Sequence, residues 1–274
     1  MQRTVRAWLG STHPGPALAV TIVTVVLSIG VGLPTLSVAV LGLAMLAGQF
    51  SVGLSNDWID ARRDAAAGRT DKPVATGAIS VRVVRASAFF TAVLALLLTA
   101  PLGTLPLAAH AVFIVSAWSY NVWLKKTPLS VLPYVVSFGL LPALVTLCVP
   151  GFAAWWALGA GALLGVAAHF ANVLPDLETD AATGVRGLPH RVGARGSGIV
   201  IAVSLAAASA LLYVGSPDVL HLFGLVLGVA LAIAIAIVIL VLRGVATRLL
   251  FRLIIAAALL DVALLALSGS PLVA

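Results

Sequence analysis

Charged and apolar positions in this chain fall into blocks rather than alternating. No Asp, Glu, Lys or Arg occurs in 14–56, 86–124, 127–175, 196–217 or 219–242. A helix needs about 20 apolar residues to cross a bilayer. The first three blocks are each about twice that length. Each carries helix breakers near its middle: Gly30, Gly32 and Pro34, then Pro101, Gly103 and Pro106, then Pro150 and Gly151. Glycine and proline punctuate helices, so each block predicts a helical hairpin. Single spans near 197–215, 219–242 and 248–268 follow, the last interrupted by Arg252 and Asp261. The pattern predicts an all-α polytopic membrane protein with about nine transmembrane helices. It predicts a single domain over residues 1–274.

Composition agrees with that class. The chain is 61% hydrophobic and 9% charged, too few charges to coat a soluble protein of 274 residues. Charge adds orientation. With nine spans, the N-terminus and the loops after helices 2, 4, 6 and 8 share one side of the membrane. Those regions hold all 16 basic residues, which predicts a cytoplasmic N-terminus and an external C-terminus. The net charge of +7 thus has a topological explanation. A nucleic-acid partner is not indicated, because no basic face is interleaved with exposed aromatics. The first twenty residues do not form a cleavable signal; their apolar run is too long and leads into a hairpin. The single cysteine, Cys148, excludes an intramolecular disulfide and a cysteine metal cluster.

The nine acidic residues change the picture most. Asp57, Asp60, Asp64 and Asp71 follow helix 2, in "SNDWIDARRDAAAGRTDKP"; Asp176, Glu178 and Asp180 follow helix 6. Both clusters fall on the predicted cytoplasmic side, at corresponding places in two hairpins. At about 100° per residue, Asp57, Asp60 and Asp64 lie within roughly 60° of one another, with Asn56 about 40° beyond Asp60. All four share a face if helix 2 continues through them. Asp176 and Asp180 are i,i+4 neighbours, Glu178 points away, and the same stripe extended backwards reaches Asn172 and His169. Like charges at this spacing destabilise a helix, and carboxylates near a bilayer cost more. A cation would compensate both. Acids without cysteine point to a hard divalent ion with oxygen ligands, Mg²⁺ or Mn²⁺ in its place. Two carboxylate faces suit two or three such ions on a diphosphate, with basic residues nearby neutralising the remaining phosphate charge. The competing explanation is that these acids cap helices or pair with loop arginines.

The motifs resemble the UbiA superfamily of intramembrane prenyltransferases. The pattern NDxxDxxxD stands complete as Asn56, Asp57, Asp60 and Asp64; the basic-Pro-x-x-x-Gly loop is matched by "DKPVATG"; the pattern DxxxD is matched by Asp176 and Asp180; "YNVWLKK" matches the Tyr-x-x-x-Leu-Lys segment after helix 4. The resemblance implies transfer of an isoprenyl group from a prenyl diphosphate donor to an acceptor within the lipid bilayer. The acceptor would be a quinone precursor, a tetrapyrrole acid, a glycerol phosphate or a similar molecule. It implies Mg²⁺ held by Asp57, Asp60, Asp64, Asp176 and Asp180, with Asn56 supporting the first set. It makes Lys72, Lys125, Arg69 and Arg63 the diphosphate contacts. Tyr120, with Asn121 beside it, is the catalytic candidate; an interfacial anchor is the other role open to that tyrosine. His13, His169 and Asn172 are the acceptor contacts, and His190 is a further candidate for phosphate. One departure stands out: where many members have Arg-Pro before helix 1, this chain reads "THPG", with His13 in place of arginine.

Two other classes fit less well. A CDP-alcohol phosphotransferase needs a glycine between its paired aspartates that "DWIDARRD" lacks. A transporter places charge near the midplane on broken helices, whereas here the charge gathers at one face. The orientation is testable: reporter fusions after Arg82 and after Ala274 should report opposite sides of the membrane, and a cytoplasmic C-terminal reporter would mean an even number of spans.

Overall fold

The computed structural model describes residues 2–215, 220–243, 260, 261, 263, 272 and 273. Among them lie ten α-helices and no extended strand: α1 (Gln2–Ser11), α2 (Pro14–Gly30), α3 (Thr35–Ala66), α4 (Val81–Thr99), α5 (Thr104–Val122), α6 (Leu132–Thr146), α7 (Trp155–Val173), α8 (Leu177–Ala182), α9 (Leu188–Gly215) and α10 (Leu220–Leu242). Helices α2 to α7, α9 and α10 coincide with the first eight expected spans. The ninth, 248–268, lies outside the described residues apart from 260, 261 and 263. Among the described residues, five helices are long and apolar enough to cross a membrane, and α1 with α2, bent by 61°, make a sixth crossing if taken together. Helix α6 and the Leu231–Leu240 part of α10 are apolar but shorter.

The breaks fall where proline and glycine require them. Gly32 has φ 76° and Gly103 has φ 127°, a region open to glycine at little cost. Pro34 then opens α3, and a 3₁₀ turn through Pro101 closes α4. Helix α1 was not expected as a separate element. Its Ala7 and Ser11 are buried, whereas Arg3, Val5, Arg6 and Leu9 are exposed, so it is amphipathic rather than apolar throughout.

The chain divides into two compact units, essentially residues 1–123 and 124–274. In the first, α3 is the central post, with α1, α4 and α5 packed on it. Trp8 and Trp118 each donate an indole N–H, to Ser87 and Ser51, at 3.0 Å. The rings of Trp58, Phe89 and Trp118 meet at 5.0–6.1 Å between centroids, offset or edge-on as their quadrupoles favour.

In the second unit α7 runs between α6 and α9, and α10 packs on α9. Leu164, Phe170, Ile201, Leu205 and Ile237 form its core. Gly161 and Gly165 sit one turn apart on α7. A Cβ on either would lie 2.4 Å from a carbonyl oxygen of α6, that of Phe138 and that of Tyr134 respectively. Small residues let helices approach closely where lipid offers no hydrophobic drive between them. Gly165→Val should therefore force α6 and α7 apart and destabilise the protein by about 1–3 kcal/mol, read as a lower midpoint of thermal unfolding in detergent.

Candidate active site

Helix α3 continues without a break through Asn56–Asp64, so the expected acidic face forms. The carboxylates are not solvated: Asp57 is 1% exposed, and Asp60 and Asp64 are 5% exposed. Buried charges need partners, and each of these has one. Asp57 Oδ1 lies 2.8 Å from His13 Nε2 and 2.7 Å from Lys72 Nζ. Arg63 Nη2 donates to Asp60 Oδ2 at 3.0 Å and lies 3.5 Å from Asp64 Oδ1. Asn56 Nδ2 donates to the same Asp60 oxygen at 3.4 Å. Asp57 Oδ2 is buried and has no hydrogen-bond partner.

Three close approaches build this corner. Gly53 lies one turn before Asp57 on α3, and a Cβ there would sit 2.4 Å from the Thr12 carbonyl oxygen. The break between α1 and α2 therefore rests directly on α3. Gly10, near the end of α1, faces Pro73, with 3.1 Å from a Cβ to the proline ring. That contact seats the 67–80 loop, and Lys72 with it, beside His13; Lys72 Nζ is 3.1 Å from His13 Nε2. Arg69, expected on diphosphate, grips Asp71 through two bonds of 2.8 Å. Its guanidinium holds the Asp71 carboxyl down to about 2.

Asn121, the catalytic candidate beside Tyr120, is tied to α3. It is buried at the end of α5, and its amide nitrogen donates to the Val52 carbonyl at 3.0 Å and to Ser55 Oγ at 2.8 Å. Its oxygen accepts from Asn56 at 3.3 Å. Both ends of the side chain are thus committed to α3, and its work is to hold Asn56, which in turn supports Asp60. Tyr120, its neighbour, is half-buried.

The second acidic set lies in the other unit, and its geometry corrects the expectation of one continuous helical stripe. Helix α7 stops at Val173; a 3₁₀ turn through Pro175 follows, and Asp176 leaves it with φ −104° and ψ 6° before α8 begins. Proline at 175 lacks the N–H that would continue the helix. Asp176 and Asp180 are half-buried, and Glu178 is exposed. His169 does not extend the stripe. It is fully buried, its Nε2 is 3.0 Å from Ser130 Oγ, and its ring packs on Tyr134 at 4.9 Å. Ser130 Oγ also accepts from the Leu188 N–H at 2.9 Å, so His169 ties α7 to the starts of α6 and α9 and is not open to an acceptor. Asn172 is exposed and donates to the Tyr134 hydroxyl at 3.3 Å. Lys125 is buried, and His190 is half-buried with neither ring nitrogen hydrogen-bonded.

The sequence pattern that describes the UbiA prenyltransferase family matches residues 17–253. The chain belongs to that family. Solved structures agree on the fold. A UbiA homologue from Archaeoglobus fulgidus, bound to GPP and Mg²⁺, is 14% identical, with a TM-score of 0.73 over 96% of this chain and 99% of that one. A UbiA homologue from Aeropyrum pernix K1 is 18% identical, with a TM-score of 0.70 over 90% and 96%. A digeranylgeranylglyceryl phosphate synthase is 11% identical, with a TM-score of 0.66 over 98% and 99%. No match was found among curated proteins.

The donor set of α3 fits the divalent ion found in such a relative. Among the described residues, no three His, Cys, Asp or Glu side chains converge to hold a metal unaided. Mg²⁺ does not require that; it takes one or two carboxylates and completes its octahedron with water and phosphate. The buried, unpartnered Oδ2 of Asp57 is a ligand atom of the right chemistry. Reasoning from sequence missed the roles of Gly53, inside α3, and Gly10, near the end of α1, though a glycine is the residue that lets another backbone come close. The role of Asn121 is checked by Asn121→Ala. It should lower the unfolding midpoint, because Asn56 and Ser55 lose a buried partner worth about 1–3 kcal/mol. Turnover should fall but persist, whereas loss of a group acting on substrate would abolish turnover at unchanged stability.

Proposed function

We propose that this protein transfers an isoprenyl group from an allylic prenyl diphosphate to an acceptor within the membrane, with Mg²⁺ and release of pyrophosphate. The observation that carries this reading is the buried Asp57–Asp60–Asp64 face, with the unpartnered Oδ2 of Asp57, in a chain of the UbiA prenyltransferase family. Asp57, Asp60, Asp64, Asp176 and Asp180 would supply the oxygen ligands. Bound Mg²⁺ would draw electron density from the diphosphate.

The chain's own groups perform the rest. Lys72 and Arg63 lie against the first carboxylates and are within side-chain reach of phosphate oxygens bound there. They offset the negative charge that grows as the C–O bond of the donor breaks. Around them the helices are almost wholly apolar, which houses the isoprenoid tail and keeps water from the allylic cation. The acceptor then forms the new bond to the allylic carbon and gives up a proton. Tyr120, at the end of α5, is the aromatic whose π face would steady that cation. We assign the acceptor to the class of quinone precursors, tetrapyrrole acids or glycerol phosphates, and the active face to the cytoplasm, where positive-inside counting puts every basic loop.

The test is a transfer assay on purified protein with radiolabelled prenyl diphosphates, varied Mg²⁺ and a panel of these acceptors. Asp57→Ala, Asp60→Ala, Asp176→Ala and Asp180→Ala should each abolish transfer while the protein still inserts in membranes. Glu178→Ala, at an exposed position, should change it little. Transfer that persists in EDTA, or Glu178→Ala as damaging as Asp176→Ala, would overturn the assignment.

A further inference from the structure

We propose that His13 is a positioning residue, which fixes the Asp57 carboxylate so that its second oxygen is presented to a divalent cation. The inference rests on the metal-dependent reading above and concerns a side chain that the family resemblance makes an acceptor contact. Its Nε2 is already committed, 2.8 Å from Asp57 Oδ1.

The backbone shows how firmly that commitment is held. His13 has φ 52° and is the one non-glycine residue with positive φ among the described residues. Non-glycine side chains seldom adopt this region, and the proline that follows restricts His13 further. Such a conformation persists only where its surroundings over-determine it, and here they do. Thr12 donates both its N–H and its hydroxyl to the Leu9 carbonyl, at 3.2 Å and 2.8 Å. The His13 N–H reaches the Gly10 carbonyl at 3.3 Å, and the His13 carbonyl accepts from Ala17 at 3.2 Å. Gly53 leaves the gap into which the Thr12 carbonyl fits. The left-handed turn at His13 directs its imidazole onto Asp57, one helical turn beyond Gly53 along α3.

Two donors, His13 and Lys72, meet the same carboxylate oxygen and lie 3.1 Å apart. With Oδ1 held from two directions the carboxylate cannot rotate without losing both bonds, and Oδ2 stays buried and unpartnered. Lysine alone would not achieve this, because a flexible ammonium follows whichever oxygen turns towards it. An arginine would not either, since its planar fork spans both oxygens of a carboxylate and would occupy the one left open. An imidazole offers a single donor at this end of a rigid ring. It orients the ligand and leaves its second oxygen available, the service that outer partners give to metal-binding carboxylates.

The experiment uses the full-length protein in detergent with two readouts: Mn²⁺ affinity, from electron paramagnetic resonance titration with inorganic pyrophosphate present, and the metal-free unfolding midpoint. His13→Gly removes the side chain and relaxes the backbone. It should weaken Mn²⁺ about 10–100-fold while the midpoint holds or rises. His13→Asn keeps a residue tolerant of positive φ, but its amide is too short to reach Asp57, and it should lose affinity equally. His13→Gln, whose Nε2 extends about as far as the imidazole Nε2, should recover most of it. Wild-type affinity in His13→Gly or His13→Asn would overturn the proposal, as would a loss of affinity that merely follows a fall in the midpoint. Wild-type protein that binds no Mn²⁺ would overturn the metal-dependent reading itself, and this proposal with it.

Discussion

A carboxylate taken into an apolar helix bundle must be met by positive charge or hydrogen-bond donors, because its desolvation costs several kcal/mol after relaxation. Three such carboxylates line α3, and the first unit is arranged around meeting them. Arg63 serves two of them from the same helix. Asp57 is met from outside α3, by Lys72 in the loop that follows and by His13 at the break between α1 and α2. The loop and the break are thus parts of one electrostatic arrangement. The 61° bend that sets α1 apart from α2 falls at the residues that carry His13 to its carboxylate.

Close packing makes that arrangement possible. In lipid, helices gain little from burying apolar surface against each other, so contact depends on how near their backbones can come. Gly10 and Gly53 serve this purpose in the first unit by admitting Pro73 and the Thr12 carbonyl. Gly161 and Gly165 do so in the second, where α7 lies against the carbonyls of α6. These glycines differ from those at Gly32 and Gly103, whose positive φ marks turns. One group supplies conformational freedom; the other supplies room.

Much of this was legible in the sequence, and the reasons are local. Pro34, Gly103 and Pro150 predict breaks because they act on the backbone at their own position, and the helices around them begin and end accordingly. The acidic face of α3 follows from helical period alone once the helix is taken to continue. Reasoning failed where the outcome depended on partners distant in the chain. Nothing local to Asn121 reveals that its amide is spent on Val52, Ser55 and Asn56. Nothing around His169 points to Ser130, 39 positions away. The stripe through Asp176 is the instructive exception. Pro175 was in plain view, and its missing N–H is a local reason for the 3₁₀ turn that takes Asp176 out of register.

The length of α3 has a consequence for where chemistry can occur. Its 32 residues at 1.5 Å each reach about 48 Å, against a hydrocarbon core of about 30 Å. A helix that begins at one boundary of the core therefore runs on for about twelve residues past the other. Asn56, Asp57, Asp60 and Asp64 all fall in that final third. With that placement, one unbroken rod would carry these carboxylates past the hydrocarbon to the headgroup layer, the depth where an amphiphile's anionic head rests while its tail stays among acyl chains. A long-tailed donor could then be engaged by lateral diffusion within the leaflet, its charged end never having to enter oil.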